Sequence, residues 1–413
     1  MRKRLLQHID WGFMAAVALT LPILFPFLNG QLPDTADSQL HLHRMVSAAL
    51  SINNGIFYPR WSPHLHLGYG YPLHNFYAPG WHIIAGGLYS VFGGNAVHFW
   101  LAAQTVGVML TAPGAYLFAR TFASRPGALA AAAAYAWTPI RFREIWDQGN
   151  VSQLISMALI AWGFWAIASL ARRPSPGKVA LAALIIGFTV INHHPTAFYF
   201  IPAIGLYAVL AGWLASEKKD ALRRISICIA ASGIGILIAA VYWLPAALEV
   251  KYTLLDKFTT GQFDIASNFT PLRELLSATP FLDRGAYVPF RPMNIGIVHL
   301  TAALIGFLMA ARSRKFSRWQ RGHIITAGIA LPICIYLMTA SSEWFWVHVP
   351  IADKLVYPWR LLGLVAVLTI PGIALLPETL PEKWRNTSAI SILILVIVSM
   401  LPAAYPTRDT IPF

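Results

Sequence analysis

The sequence predicts an all-α integral membrane protein, a polytopic bundle of about eleven transmembrane helices, and three observations carry that prediction. Of its 413 residues, 57% are hydrophobic and only 12% charged, outside the range of soluble domains. The apolar residues are grouped in runs of about twenty or slightly fewer, enough to cross a bilayer as helices. The basic residues collect in alternate connecting segments, the pattern that orientation in a membrane produces.

Taken in order, the chain opens with the basic run Met1-Arg2-Lys3-Arg4, followed by an apolar stretch from Trp11 to Leu28. No small-x-small cleavage site follows it, so it is expected to be a retained first span and not a signal peptide. With that span at 11–29, the others are expected at 97–119, 126–140, 152–171, 178–193, 196–215, 225–244, 295–311, 323–340, 358–377 and 387–404. The stretch 76–92 is apolar too, but contains Pro79, Gly80, His82, Gly86 and Gly87, and is read as an interfacial or re-entrant helix. The segments placed in the cytoplasm by this threading are 1–10, 120–125, 172–178, 216–224, 312–323 and 377–385. They hold about 19 of the 31 Lys and Arg residues and about 5 of the 17 acids. A cell-membrane protein with a cytoplasmic N-terminus and an outer C-terminus is the expectation.

The formal net charge of +14 is accounted for by those loops, so no nucleic acid partner is implied. Cys228 and Cys334 both lie inside apolar runs, which removes a disulfide framework and a thiolate metal site. No repeat, heptad or glycine-rich phosphate loop is visible. The chain reads as one transmembrane domain over 1–413 with two long outer loops, 30–96 and 245–294, and long loops in a compact bundle tend to carry function.

The first loop begins with Asp34 and Asp37, closely followed by His41, His43 and Arg44. On a helix Asp37, His41 and Arg44 share one face, an arrangement suited to a general base with an orienting partner, or to a divalent metal. An Asp N-cap on a surface helix is the plainer alternative. The same loop adds Arg60, Tyr69, Asn75 and six histidines in all, more than an interfacial aromatic belt explains. Further outer-edge candidates are Arg141, Arg143, Glu144, Asp147 and Asn150, then His193-His194-Pro195, and Arg360 just inside a span, where a charge usually has a partner or ligand.

The run Asp34–Arg44, Pro59-Arg60-Trp61, Gly68-Tyr69-Gly70, Asn75-Phe76-Tyr77, Gly149-Asn150, Trp243-Leu244-Pro245 and Pro358-Trp359-Arg360 together resemble the GT-C superfamily of membrane glycosyltransferases. More narrowly, they are similar to the bacterial membrane proteins labelled as having a 6-pyruvoyl-tetrahydropterin-synthase-related domain, a label that does not imply pterin chemistry. The resemblance implies transfer of a sugar from a polyprenyl-phosphate carrier to an acceptor on the outer face. An acidic residue just after the first span is the superfamily's usual catalytic centre, a position that falls on Asp37, with Asp34 second and His41 beside it. The carrier phosphate would meet Arg360, Arg60, Arg141 or Arg143, with His193, His194, Tyr69 and Asn75 near the substrate. A divalent metal, Mg or Mn, on Asp37 and Asp147 is left open, since Glu144, Asp147 and Asn150 stand where the oligosaccharyltransferase subunit has an acidic pair. The chain ends nine residues after its last expected span, which assigns acceptor recognition to loops or a partner. A transporter or flippase, or a scaffold without catalysis, is the alternative; against transport, no repeat and no matched pair of broken spans is seen.

Overall fold

The computed structural model describes residues 10–215, 218–254, 263–278, 291–350, 352–406 and 410–411, and the chain is nearly all helical. The basic run Met1–Arg4 and much of the second outer loop, 255–262 and 279–290, lie outside the described residues, as do 216–217 of one basic loop. The principal helices are α1 (Trp11–Ala18), α2 (Ser38–Asn53), α3 (Gly80–Phe92), α4 (Ala96–Met109), α5 (Thr111–Arg120), α6 (Arg125–Ala136), α7 (Val151–Arg172) and α8 (Pro176–Asn192). They continue with α9 (His194–Leu214), α10 (Lys218–Ile238), α11 (Ala240–Glu249), α12 (Ile297–Arg312), α13 (Arg318–Leu337), α14 (Leu362–Thr379) and α15 (Glu382–Met400).

Among the described residues seven helical stretches are long and apolar enough to cross a membrane: 11–29, 96–120, 151–172, 194–214, 219–238, 358–379 and 382–403. An eighth is α13 with the chain to His348, if a bend of 96° is allowed within one span; α8 and α12 are shorter apolar helices. The expected span 126–140 is altered. Helix α6 has 12 residues, about 18 Å at 1.5 Å per residue, against a hydrocarbon core of ~30 Å. Pro139 stops it: proline has no N–H and forces Thr138 to an extended ψ of 143°, after which the chain restarts as Pro139–Arg143.

Helix starts follow local chemistry. Asp10 caps α1, Asn150 caps α7 and Ser175 caps α8 ahead of Pro176. Ser317 and Gln320 form a reciprocal capping box on α13. Apolar all round, α7 and the stretch 358–379 form the centre, 83% and 89% buried over their most apolar 18 residues, whereas those of 11–29, 219–238 and 382–403 are only 28% buried and keep a lipid-facing side. The almost all-alanine α6 lets neighbours approach closely. A Cβ on Gly127 would collide with the carbonyl of Ala374, and one on Gly306 with that of Gly372. Small residues at such crossings permit the packing that associates helices in lipid.

Side-chain contacts sort the connections into two faces. On one, Tyr116 Oη donates to Asp10 and Arg125 lies 3.5 Å from it. Arg172 and Trp319 both donate to the carbonyl of Thr121, Arg224 to those of Ala171 and Arg172, and Ser124 N to Glu378. On the other face Leu32–Pro33 (β1) pairs antiparallel with Thr410–Ile411 (β2). There too Trp146 Nε1 donates to Ala404 O, and Arg291 to the carbonyls of Ala403 and Tyr405. Because Asp10 and Arg125 meet on one face, the chain from Gly30 to Asn95 begins and ends on the opposite face. Helix α3 lies in this segment, and its 13 residues rise about 20 Å. It packs on α2 with Gly86 against the Met45 carbonyl, leaving Ile84, Leu88, Val91 and Phe92 exposed.

Candidate functional site

The two helices of the first loop are pinned over the ends of α7 and α8. Trp81 N donates to Asn192 Oδ1 (3.0 Å) and Trp81 Nε1 to Ser152 Oγ (2.7 Å), while Asn192 Nδ2 donates to Ser152 O (2.7 Å). The start of α2 is held by a second segment. Glu144–Gln148 forms a π-helical turn closed by Gly149 N on Glu144 O, a distortion frequent at functional sites. Its carbonyls take the amides of Ala36 and Asp37, at 3.0 and 2.7 Å. Gly149, at φ +68°, has Thr35 Oγ1 where a Cβ would stand, so a side chain here would push the strand and Asp37 away.

Asp37 stands at the N-cap position of α2, yet its carboxylate caps nothing. The hydroxyl of Thr35 accepts from Ser38 N instead (3.2 Å), and Ser38 Oγ donates to Pro33 O. Asp37 is flanked by Arg44 and Arg360, neither of which forms an ion pair with it. Both guanidiniums rest on rings: Arg44 lies 4.3 Å from the centroid of Tyr77, and Arg360 4.6 Å from Tyr357 and 5.6 Å from Trp359. A cation held by a ring keeps its charge available to an anion. Burial raises the Asp37 carboxyl above the usual range, and the two arginines oppose the shift without cancelling it.

Behind Arg360 runs a buried chain. Arg360 Nε donates to Gln153 Oε1 (3.2 Å), and Gln153 Nε2 donates to Glu144 Oε1 (2.7 Å). Burial pushes Glu144 up to about 8, against Arg360, Arg143 and Arg141 and helped by the charge of Asp37. Below Asp37, His41 Nδ1 meets His82 Nε2 at 3.0 Å, and the His74 ring lies 5.3 Å from that of His82. Burial holds His41 and His82 well below the usual imidazole value, so this cluster is neutral.

Of the other candidates, His193 accepts from Thr196 N as the cap of α9, and His194 Nδ1 lies 3.1 Å from Tyr242 Oη. Asn75 Nδ2 donates to Glu249 Oε2 (2.8 Å). Arg141 is fully buried, donating to Leu154 O and facing the ring of Tyr135, sealed from any lipid phosphate. Arg143 donates to the Arg291 carbonyl and lies 3.8 Å from Asp147. Asp34, Arg60 and Tyr69 are exposed, and none has a contact to the cluster among the described residues. The structure brings Gln153, Tyr77 and Tyr357, which the sequence held only within longer segments, into contact with Arg360 and Arg44. His41 and Arg44, four and seven residues past Asp37 on the same helical face, had a periodic signal.

The donors do not fit a divalent cation. Both oxygens of Asp147 are taken by Arg291, at 2.5 Å from Nη1 and 2.8 Å from its backbone N. Burial raises the Glu144 carboxyl to about 8, and Asp37 stands between two arginines. Among the described residues no group of three His, Cys, Asp or Glu side chains is placed to hold a metal ion, the His41–His82–His74 cluster included.

Comparison with known proteins bears on the family and the fold. The family model described as "6-pyruvoyl-tetrahydropterin synthase related domain; membrane protein" matches residues 74–407. A sequence search of curated proteins finds no match. Among solved structures, the Archaeoglobus fulgidus oligosaccharyltransferase tethered with an acceptor peptide aligns with a TM-score of 0.56 at 14% identity, over 96% of this chain and 55% of that one. The arabinofuranosyltransferase AftD from Mycobacteria aligns with a TM-score of 0.53 at 17% identity, over 97% and 27%. This chain thus spans about half the length of the first and about a quarter of the second, and shares their GT-C fold.

Proposed function

We propose, from the premise that this chain belongs to the 6-pyruvoyl-tetrahydropterin-synthase-related family of membrane proteins and has the GT-C fold, that it is a glycosyltransferase. Its donor is a sugar on a polyprenyl-phosphate carrier, used at the face away from the basic loops. The observation that carries this reading is the uncapped carboxylate of Asp37, set between the guanidiniums of Arg44 and Arg360, which form no ion pair among the described residues. In the reaction the acceptor hydroxyl attacks the anomeric carbon and gives its proton to Asp37. A new C–O bond forms, the bond to the carrier phosphate breaks, and that phosphate takes the electron pair. Arg360 and Arg44 stabilise the charge left on it. The upward shift of Asp37 brings it closer to working pH and makes it a stronger base.

Glu144 acts through Gln153 by fixing the direction of Arg360. The test is to incubate the purified protein in nanodiscs with a panel of polyprenyl-phosphate sugars and candidate acceptors. Release of polyprenyl phosphate from one donor, dependent on acceptor, is expected. Movement of an intact lipid-linked sugar between leaflets, with no cleavage of any donor, would replace this reading with that of a flippase.

A further inference from the structure

The face opposite the site carries a cavity that the reaction does not use. It is about 390 Å³ in volume and is lined by Thr121, Phe122, Arg172, Leu214, Trp319 and Gln320, with Ala215 and Ser317 at its edge. It opens where α5, α7 and α9 end and α13 begins. Its walls are fixed by hydrogen bonds to backbone: Trp319 Nε1 to Thr121 O, Gln320 Nε2 to Phe122 O and Arg172 Nη1 to Thr121 O. The guanidinium of Arg172 lies 5.8 Å from the Trp319 ring. A guanidinium carries five N–H donors, and the bond to Thr121 uses one.

The surrounding charge has one sign. Arg173 and Lys178 are near enough to Arg172 to act on each other electrostatically, Arg224 reaches the carbonyl of Arg172, and Arg318 sits over the Trp213 ring at 5.2 Å. Of the described acids of this face, Asp220 is engaged by Arg223 and Arg224, Glu378 by Arg385 and the amide of Ser124, and Asp10 by Tyr116 and Arg125, and neither these nor the exposed Glu382 lines the cavity. Phe122 and Leu214 give the cavity an apolar side, and the half-exposed Trp213 next to Leu214 continues it onto the surface of α9. An exposed cation, an indole wall and an apolar edge at the ends of spanning helices match the headgroup, glycerol and first methylenes of an anionic amphiphile.

We propose that this cavity binds an anionic phospholipid from the leaflet on the basic face, with its phosphate on Arg172. The site is independent of the transfer reaction, because it lies on the other side of the bundle. It would fix the ends of α7, α9 and α13 together and make the protein sensitive to the acidic lipid content of its own membrane.

The test is the affinity of detergent-solubilised full chain for dioleoylphosphatidylglycerol against dioleoylphosphatidylcholine, read by native mass spectrometry. Arg172→Gln is compared with Arg173→Gln, whose side chain is outside the cavity, and glycerol phosphate serves as the soluble anion. Preference for phosphatidylglycerol is expected, weakened about fivefold or more in Arg172→Gln, the size for one cation at a headgroup, and nearly unchanged in Arg173→Gln. Equal binding of the two lipids, or equal loss in the two variants, would overturn the proposal in favour of diffuse surface charge. Binding of glycerol phosphate as tight as that of the lipid would overturn it in favour of a soluble ligand.

Discussion

Asp37 was readable as a candidate because a carboxylate just beyond an apolar run is visible in the sequence, but whether it caps a helix or faces a substrate was not. In the structure its carboxylate accepts neither of the N–H groups that an Asp cap takes, those of Gln39 and Leu40, while Thr35 accepts from the amide of Ser38. The arginines were legible only as a set. Burial separates Arg360, on its ring platform beside Asp37, from Arg141, which no phosphate can reach. Glu144 yields a prediction at this scale. Its carboxyl is held at about 8 in the fold and titrates near 4.3 when exposed. The folded state therefore binds the extra proton, and this contribution to stability is complete below the unfolded value and is lost as pH rises from there to about 8. Glu144→Gln keeps an acceptor for Gln153 without the charge. Thermal melting of wild type should decline between pH 5 and 8.5 by more than that of the variant; parallel profiles would mean that Glu144 titrates normally.

At the scale of elements, most apolar runs became helices at nearly the expected places, since a twenty-residue apolar run has few other ways to satisfy its backbone in lipid. The stretch 126–140 departs because Pro139 ends α6, and the freed chain becomes the π turn that holds Asp37. No periodicity signals a π turn. Nor did the sequence reveal that α6, α12 and α14 cross on glycines, because small residues are common in any span. At Gly372 an added Cβ would overlap the carbonyl of Ala303, a backbone atom that cannot swing aside. Gly372→Ala should then destabilise the protein by about 1–3 kcal/mol, the range for overpacking, seen as a lower melting temperature in detergent. A melting temperature equal to wild type would show that α12 and α14 separate easily. The ion pair Asp147–Arg291 does similar work at the other end, tying the π turn to the C-terminal segment.

For the whole molecule, the charge asymmetry in the sequence and the contacts in the structure divide the loops in the same way, by independent routes. Loops at 121–124, 172–178 and 313–321 touch one another or share partners, and so do those at 30–37, 144–150, 403–405 and 410–411. Which face is cytoplasmic rests on the positive-inside rule. In a variant lacking Cys228 and Cys334, single cysteines at Gly177 and Ser313 should react with an impermeant maleimide only after the cytoplasmic side is opened. One at Asp34 should react in intact cells. Labelling of Asp34 and Gly177 from the same side would break the two-face division.

The central claim is that Asp37 acts on the acceptor in the transition state, and the most direct measurement is turnover of Asp37→Asn beside its affinity for the carrier-linked donor. The amide keeps the shape of the side chain and its neighbours but cannot take a proton. A fall in kcat of about 100-fold or more is predicted, with donor affinity and melting temperature nearly unchanged. Turnover within about threefold of wild type would contradict the account and return Asp37 to the role of a helix-end residue.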